Sequence, residues 1–117
     1  AETMGAQYAG VGSLHHAAAA AGVVEASLAV GDVAGAERTA RAAHAAARST
    51  LGAEHPGAVM ATLALARVRA AQGHVGEATR RLADAERASA GLGAQGQRFI
   101  AQAADIRTRY RLTATAP

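Results

Sequence analysis

Between residues 13 and 112 the chain alternates runs of small apolar residues at helical spacing with isolated glycines. "SLHHAAAAAGVVEASLAV" (13–30) reads as a helix stopped by Gly31-Asp32, and "VAGAERTARAAHAAARSTL" (33–51) as a second closed by Gly52. After a break at His55-Pro56 comes "GAVMATLALARVRAAQ" (57–72), ended by Gly73, and then "VGEATRRLADAERASAGL" (75–92). A loop around Gly93 and Gly96 precedes a last helix, "RFIAQAADIRTRYRL" (98–112). Within "EATRRLADAER" (77–87) arginines and acids alternate, the pattern of a solvated helix face laced with i,i+4 pairs. The first few residues and the tail "TATAP" read as frayed ends.

Helix, helix, break, helix, helix, break, helix is a repeat pattern. "LAVGDVAGAERTARAA" (28–43) lies over "AAQGHVGEATRRLADA" (70–85), pairing Gly31 with Gly73, Val33 with Val75, Ala36 with Ala78 and Arg38 with Arg80, a period of 42 residues. "LGA" returns at 51 and at 92, so the second copy is one residue shorter. The shared residues have physical roles. A glycine after a helix takes the left-handed geometry that other residues adopt at a cost. Ala36 and Ala78 let the second helix of a hairpin lie close against the first. Pro56 suits a first helical turn and restricts His55 to extended backbone. "LGAEHPGAV" (51–59) therefore ends one hairpin and begins the next, and Ser13 is expected to cap the first long helix.

Composition sharpens this picture. Alanine is the commonest of the 117 residues and aromatics make up only 3 %, so an all-α chain is expected. The length fits one domain or a slice of a longer one. Bulky core candidates are sparse: Leu14, Val23, Val24, Leu28, Leu51, Leu63, Leu65, Val68, Leu82, Phe99, Ile100, Ile106 and Tyr110 are most of them. At about 25 cal/mol per Å² of buried apolar surface, an alanine-faced core is modest. The net charge is +3 with every strong base an arginine, and no run of five like charges occurs, which disfavours nucleic acid as a partner. Its best support is Arg98, Arg107, Arg109 and Arg111 near Phe99 and Tyr110, yet residues 107 and 109 point apart on a helix. Cysteine is absent, which excludes disulfides and thiolate metal sites and leaves the compartment open; a cytoplasmic setting is the working expectation. No apolar run reaches the roughly 18–20 residues of a bilayer span, so no membrane partner is expected. Numbering begins at Ala1, so the chain is expected to start inside a longer one or after processing.

Histidine is the one residue type here suited to catalysis or metal binding. His15 and His16 are adjacent and diverge by about 100° on a helix, a poor chelating pair. His44 and His55 fall on a helix and a loop, and no HExxH motif is present. Ser13 lies near His15, but nothing resembles a strained nucleophile elbow. The glycines at 5, 10 and 12 lack the Gly-Lys-Ser/Thr ending of a phosphate loop. No catalytic residue, metal or cofactor is expected.

The repeat boundary Leu51, Gly52, His55 and Pro56 resembles the "LG-x-x-HP" element of tetratricopeptide repeats, specifically the 42-residue variety of kinesin light chains. Leu65-Ala66, Gly73 and Glu77-Ala78 match that variety's hairpin signature, and the resemblance covers roughly residues 13–112. The first copy departs from it, with Val23-Val24 and Gly35-Ala36 in place of "LA" and "EA". Arg69 and Ser27 stand where tyrosine is frequent, a departure expected to weaken packing. The resemblance implies a right-handed α-solenoid of about five helices in one domain: repeats 13–50 and 51–92, then a partial repeat or cap over 93–112. It implies a non-catalytic interaction module whose first helices line a concave groove for a peptide or extended protein segment. Its binding positions fall on Ala18, Ala21, Glu25 and Leu28, on Met60, Leu63, Arg67 and Ala70, and on Ala101, Ala104, Thr108 and Arg111. With Arg67 and Arg111 flanking it, the groove is expected to be locally basic and to suit a carboxylate-bearing segment. The alternatives are a small self-associating protein that forms a homodimer, and a nucleic-acid-binding helical domain that uses the C-terminal arginines.

Overall fold

In the computed structural model, which describes residues 14–50, 52 and 54–112, the glycine punctuation becomes a ladder of helix ends. Helix α1 (Leu14–Ala29) and α2 (Val33–Thr50) form one hairpin, α3 (Pro56–Ala71) and α4 (Val75–Ser89) a second, and α5 (Gly93–Tyr110) follows. At Gly31, with φ of 84°, the Gly31 N–H donates to Leu28 O (3.1 Å) and the Asp32 N–H to Ser27 O (2.8 Å). One period later Gly73, with φ of 82°, repeats both bonds, from Gly73 to Ala70 (3.0 Å) and from His74 to Arg69 (2.9 Å). This double closure satisfies carbonyls that the helix end leaves over, and only glycine enters it without steric cost.

Helix starts are made differently from one another. Asp32 begins α2 by accepting the Gly35 N–H at 2.9 Å, an N-cap. His55 is extended (φ −73°, ψ 142°), as Pro56 requires, and its Nδ1 accepts the Gly57 N–H at 2.9 Å. The last helix begins five residues earlier than its sequence suggests, because Gly96 lies inside α5 rather than in a loop. Gly96 is buried, and a Cβ there would collide with the Ser89 carbonyl oxygen. Its missing side chain serves a close approach of α5 to the end of α4. Ser13, Leu51, Ala53, the glycines at 5, 10 and 12, and the 113–117 tail lie outside the described residues.

Helix α3 touches all four others, whereas α1 and α5 do not touch each other, nor do α2 and α4. A helix so surrounded must be apolar on most sides. "AVMATLALARV" meets that demand, with Ala58, Val59, Ala61, Leu63, Leu65 and Val68 all buried. Each second helix lays a seam at four-three-four spacing against the next first helix. In α2 the seam is Ala36, Ala40, Ala43 and Ala47; in α4 it is Ala78, Leu82, Ala85 and Ser89, and all eight are buried. The described residues measure 52 × 34 × 20 Å, a slab two helices thick. Its halves are filled unequally. Val59, Leu63, Leu82, Phe99 and Ile106 build the larger cluster, while one cluster under the first hairpin is entirely alanine.

Candidate functional site

The first helices of the stack share a trough of about 580 Å³, lined from α1 by Ala18, Ala21, Gly22 and Glu25, from α3 by Met60 and Arg67, and from α5 by Ala101, Gln102 and Asp105. Alanine and glycine floor it because larger side chains on α1 and α5 would close the gap between two helices that do not meet. Met60, unbranched and polarizable, adapts to differently shaped occupants.

The structure divides the residues expected to bind a partner. Glu25, Met60 and Arg67 come together in the trough beside Ala18, Ala21 and Ala101. Leu63 and Ala70 are buried in the core shared by α3, α4 and α5, because α3 is enclosed on almost every side. Leu28 is half-buried against the Val24–Leu65 cluster. Ala104 is exposed, and Thr108 is exposed with its hydroxyl donating to the Ala104 carbonyl. Arg111 forms the left-handed cap of α5 (φ 58°), which carries it past the helical face it was expected to share.

The charge of the trough also differs from the expected basic floor. Arg67 is only 11 % exposed and its Nη2 lies 3.4 Å from Glu25 Oε2, so an ion pair from the neighbouring helix engages it. The charges offered outward are carboxylates: Glu25 is 60 % exposed, and Asp105 is 63 % exposed with Arg109 3.8 Å away. Each of these carboxylates is paired, Glu25 with the covered Arg67 and Asp105 with the exposed Arg109, so the floor is not basic and its most accessible lining charges are acidic.

Arg69 has a different role from the one its position suggested. At 13 % exposure, its Nε donates to Glu77 Oε2 (3.1 Å) and its Nη1 to Glu37 Oε2 (3.0 Å) and Gln72 Oε1 (2.8 Å). Gln72 Nε2 in turn donates to Glu37 Oε1 at 3.1 Å, and Arg81 Nε to Glu77 at 2.8 Å. Arg69 on α3 thus clasps α2 and α4, which do not touch each other directly. Hydrogen bonds from Arg69 and then Gln72 hold Glu37 below the ordinary carboxylate range. The hydrogen bond from Arg81, together with the charge of Arg69, outweighs burial and does the same for Glu77. Burial works against the charge of Arg69, but its bond to Glu37 and the charge of Glu77 raise its pKa overall. Glu37 and Glu77 lie one helix before Arg69 and one after it, but the 42-residue period sets Glu37 over Thr79 and Glu77 over Gly35, so the repeat carried no signal for this clasp.

A second crossing pair explains Arg107. Its two Nη atoms grip Glu86 of α4 in a fork, with its side chain largely buried, so it is unavailable to phosphates. Arg109 lies near Asp105. Of the histidines, His15 and His16 are exposed on α1, and His55 is spent as a cap. His44 is half-buried, with Nε2 lacking a hydrogen-bond partner among the described residues. Burial, then the charges of Arg81 and Arg48, pushes it below its ordinary value, which keeps the imidazole neutral. Among the described residues no group of three His, Asp or Glu side chains is placed to hold a metal ion, and no helix is long and apolar enough to cross a membrane.

No protein-family model, curated protein or solved structure matches this chain. Its class follows from the fold itself: an all-α protein of stacked, repeat-like helical hairpins.

Proposed function

We propose that the chain is a tetratricopeptide-like interaction module that holds an extended segment of another protein in the trough between α1, α3 and α5. The observation that carries this reading is that three helices distant in sequence leave one small-residue depression open instead of closing it. A helix-lined depression with an alanine floor admits a backbone closely and selects small side chains over large ones. The exposed Glu25 and Asp105 favour a segment that places a lysine or arginine at that end. Affinity then comes from modest apolar packing, and the charged rim sets register and on-rate. The chain performs no catalysis of its own in this reading.

The test is an array of fluorescent peptides of mixed Ala, Val and Leu, each bearing either one lysine or one glutamate. Lysine peptides are expected to bind, to lose about tenfold in affinity with Glu25→Lys plus Asp105→Lys, and to be excluded by Ala101→Arg. Binding of glutamate peptides instead would reverse the charge assignment. Binding of either class that ignores Ala101→Arg would place recognition outside the trough.

A further inference from the structure

Helices α2 and α4 do not touch each other, and α3 floors the cleft between them. A cavity of about 370 Å³ lies there, lined by His44 and Arg48 of α2, Thr62 of α3 and Arg81 of α4, with Glu54 at the turn. An adjoining depression shares His44 and Arg81 with it and adds Arg41 and Arg69. Neither has a described lining residue in common with the trough, which opens between the first helices.

Three groups in this cleft have donors left over. His44 Nε2 is buried without a hydrogen-bond partner among the described residues. Arg48 has no ion-pair partner among them. Arg81 gives its Nε to Glu77, and both of its Nη groups stay without a partner there. Burial, then the charges of Arg81 and Arg48, disfavours protonation of His44, so guanidinium groups from both walls act on this imidazole. In its Nε2–H form the neutral ring still donates one hydrogen bond. A buried donor left unpaired is costly and calls for an acceptor.

The other charged groups of the cleft largely cancel. Asp84 is engaged by Arg87. Glu37 and Glu77 are shared among Arg41, Arg69 and Arg81, which leaves a positive surplus on the clasp. Glu54, exposed at the turn, is the remaining described acid of the cavity lining and the one charge that opposes Arg48.

We infer that the cleft between α2 and α4 binds a phosphate group, held by His44, Arg48 and Arg81 and carried by a small phosphate ester or a phosphorylated side chain. A carboxylate offers two oxygens and is satisfied by one guanidinium fork. The donors here come from two helices and an imidazole. Phosphate presents three oxygens and close to two charges, which suits donors that converge from different directions. A bound anion also counters the field of the two arginines, so it raises the pKa of His44.

The probes are inorganic phosphate, phenyl phosphate and a short alanine peptide with one phosphoserine. Each is titrated into the isotope-labelled whole chain at about 0.15 M salt, which screens diffuse attraction. Amide shifts are expected to saturate at millimolar phosphate around His44, Arg48 and Arg81. Arg48→Gln, at an exposed and unpaired position, is expected to leave helicity unchanged and to weaken binding about tenfold. Arg38→Gln, on the same helix but outside the cleft lining, is expected to change it less than about twofold. With sulfate, a dianion throughout the range, the His44 ring is expected to titrate at higher pH than without it. Tighter binding of the phosphopeptide marks a phosphorylated segment as the source, and tighter binding of phenyl phosphate a small ester. The phosphate site is overturned if no shifts saturate at millimolar probe, or if Arg38→Gln weakens binding as much as Arg48→Gln. It is equally overturned if acetate binds as tightly as phosphate, or if sulfate leaves the His44 pKa unchanged. Both variants leave the trough residues untouched, so failure here is distinct from failure of the trough reading.

Discussion

Arg111 sits at φ 58°, where a side chain is strained, because the end of α5 closes with the double hydrogen bond that glycines make elsewhere. Its N–H donates to Thr108 O (3.3 Å), and the Leu112 N–H donates to Arg107 O (2.8 Å). Leu112 then turns its side chain into the main core cluster, the apolar contact that accompanies this type of cap. A left-handed non-glycine residue costs about 1–2 kcal/mol, partly offset in a glycine by greater freedom of the unfolded chain. Arg111→Gly is therefore expected to stabilise the fold by about 0.5–1 kcal/mol, seen as a rise of a few degrees in Tm. No sequence rule flags this position, because its strain exists only once Leu112 is anchored. Gly31, Gly73 and His55-Pro56 are the opposite case, since backbone chemistry alone gives each its role.

At the scale of elements, the clasp around Arg69 joins three helices that alanine packing alone holds weakly. Glu37 and Glu77 both titrate lower folded than unfolded. The stability they lend is complete above the ordinary carboxylate value of about 4.5 and is lost as pH falls through their depressed folded values. Urea midpoints of the wild type and Arg69→Leu should therefore differ most near pH 6 and converge toward about pH 3. An Arg69→Leu midpoint that falls with acid as steeply as the wild type would show that the clasp carries no linkage. His44 acts in a higher window. Its folded pKa lies below its unfolded one, so the neutral imidazole's contribution is full above about 6.5 and declines as pH drops below that. His44→Leu is expected to flatten this upper part of the acid limb, read from the same midpoints.

For the molecule as a whole, the unequal filling of the two halves should govern its dynamics. Leu82, fully buried between α3 and α5, is expected to cost about 2–5 kcal/mol when cut to alanine. Nothing of that size is available to remove from the all-alanine cluster of the first hairpin. Amide exchange in α1 should then outpace exchange in α3 and α5 by about tenfold or more under native conditions. Equal protection across all five helices would mean that the stack opens as a single unit.

By themselves the residues determined the five helices, their order, the 42-residue period and most of their ends. Those outcomes depend on local chemistry: alanine propensity, glycine geometry and proline's missing donor. They also placed Glu25, Met60 and Arg67 on facing positions, because helical periodicity is a property of one segment. Tertiary structure decided which residues of each face stay open. It enclosed Leu63 and Ala70 because α3 has neighbours on nearly every side, and it turned Gly96 from a loop residue into a close contact with Ser89. It also engaged Arg67 with Glu25, which removes the basic floor expected of the trough. Burial and pairing depend on what arrives from another helix, and periodicity along one segment holds no record of that.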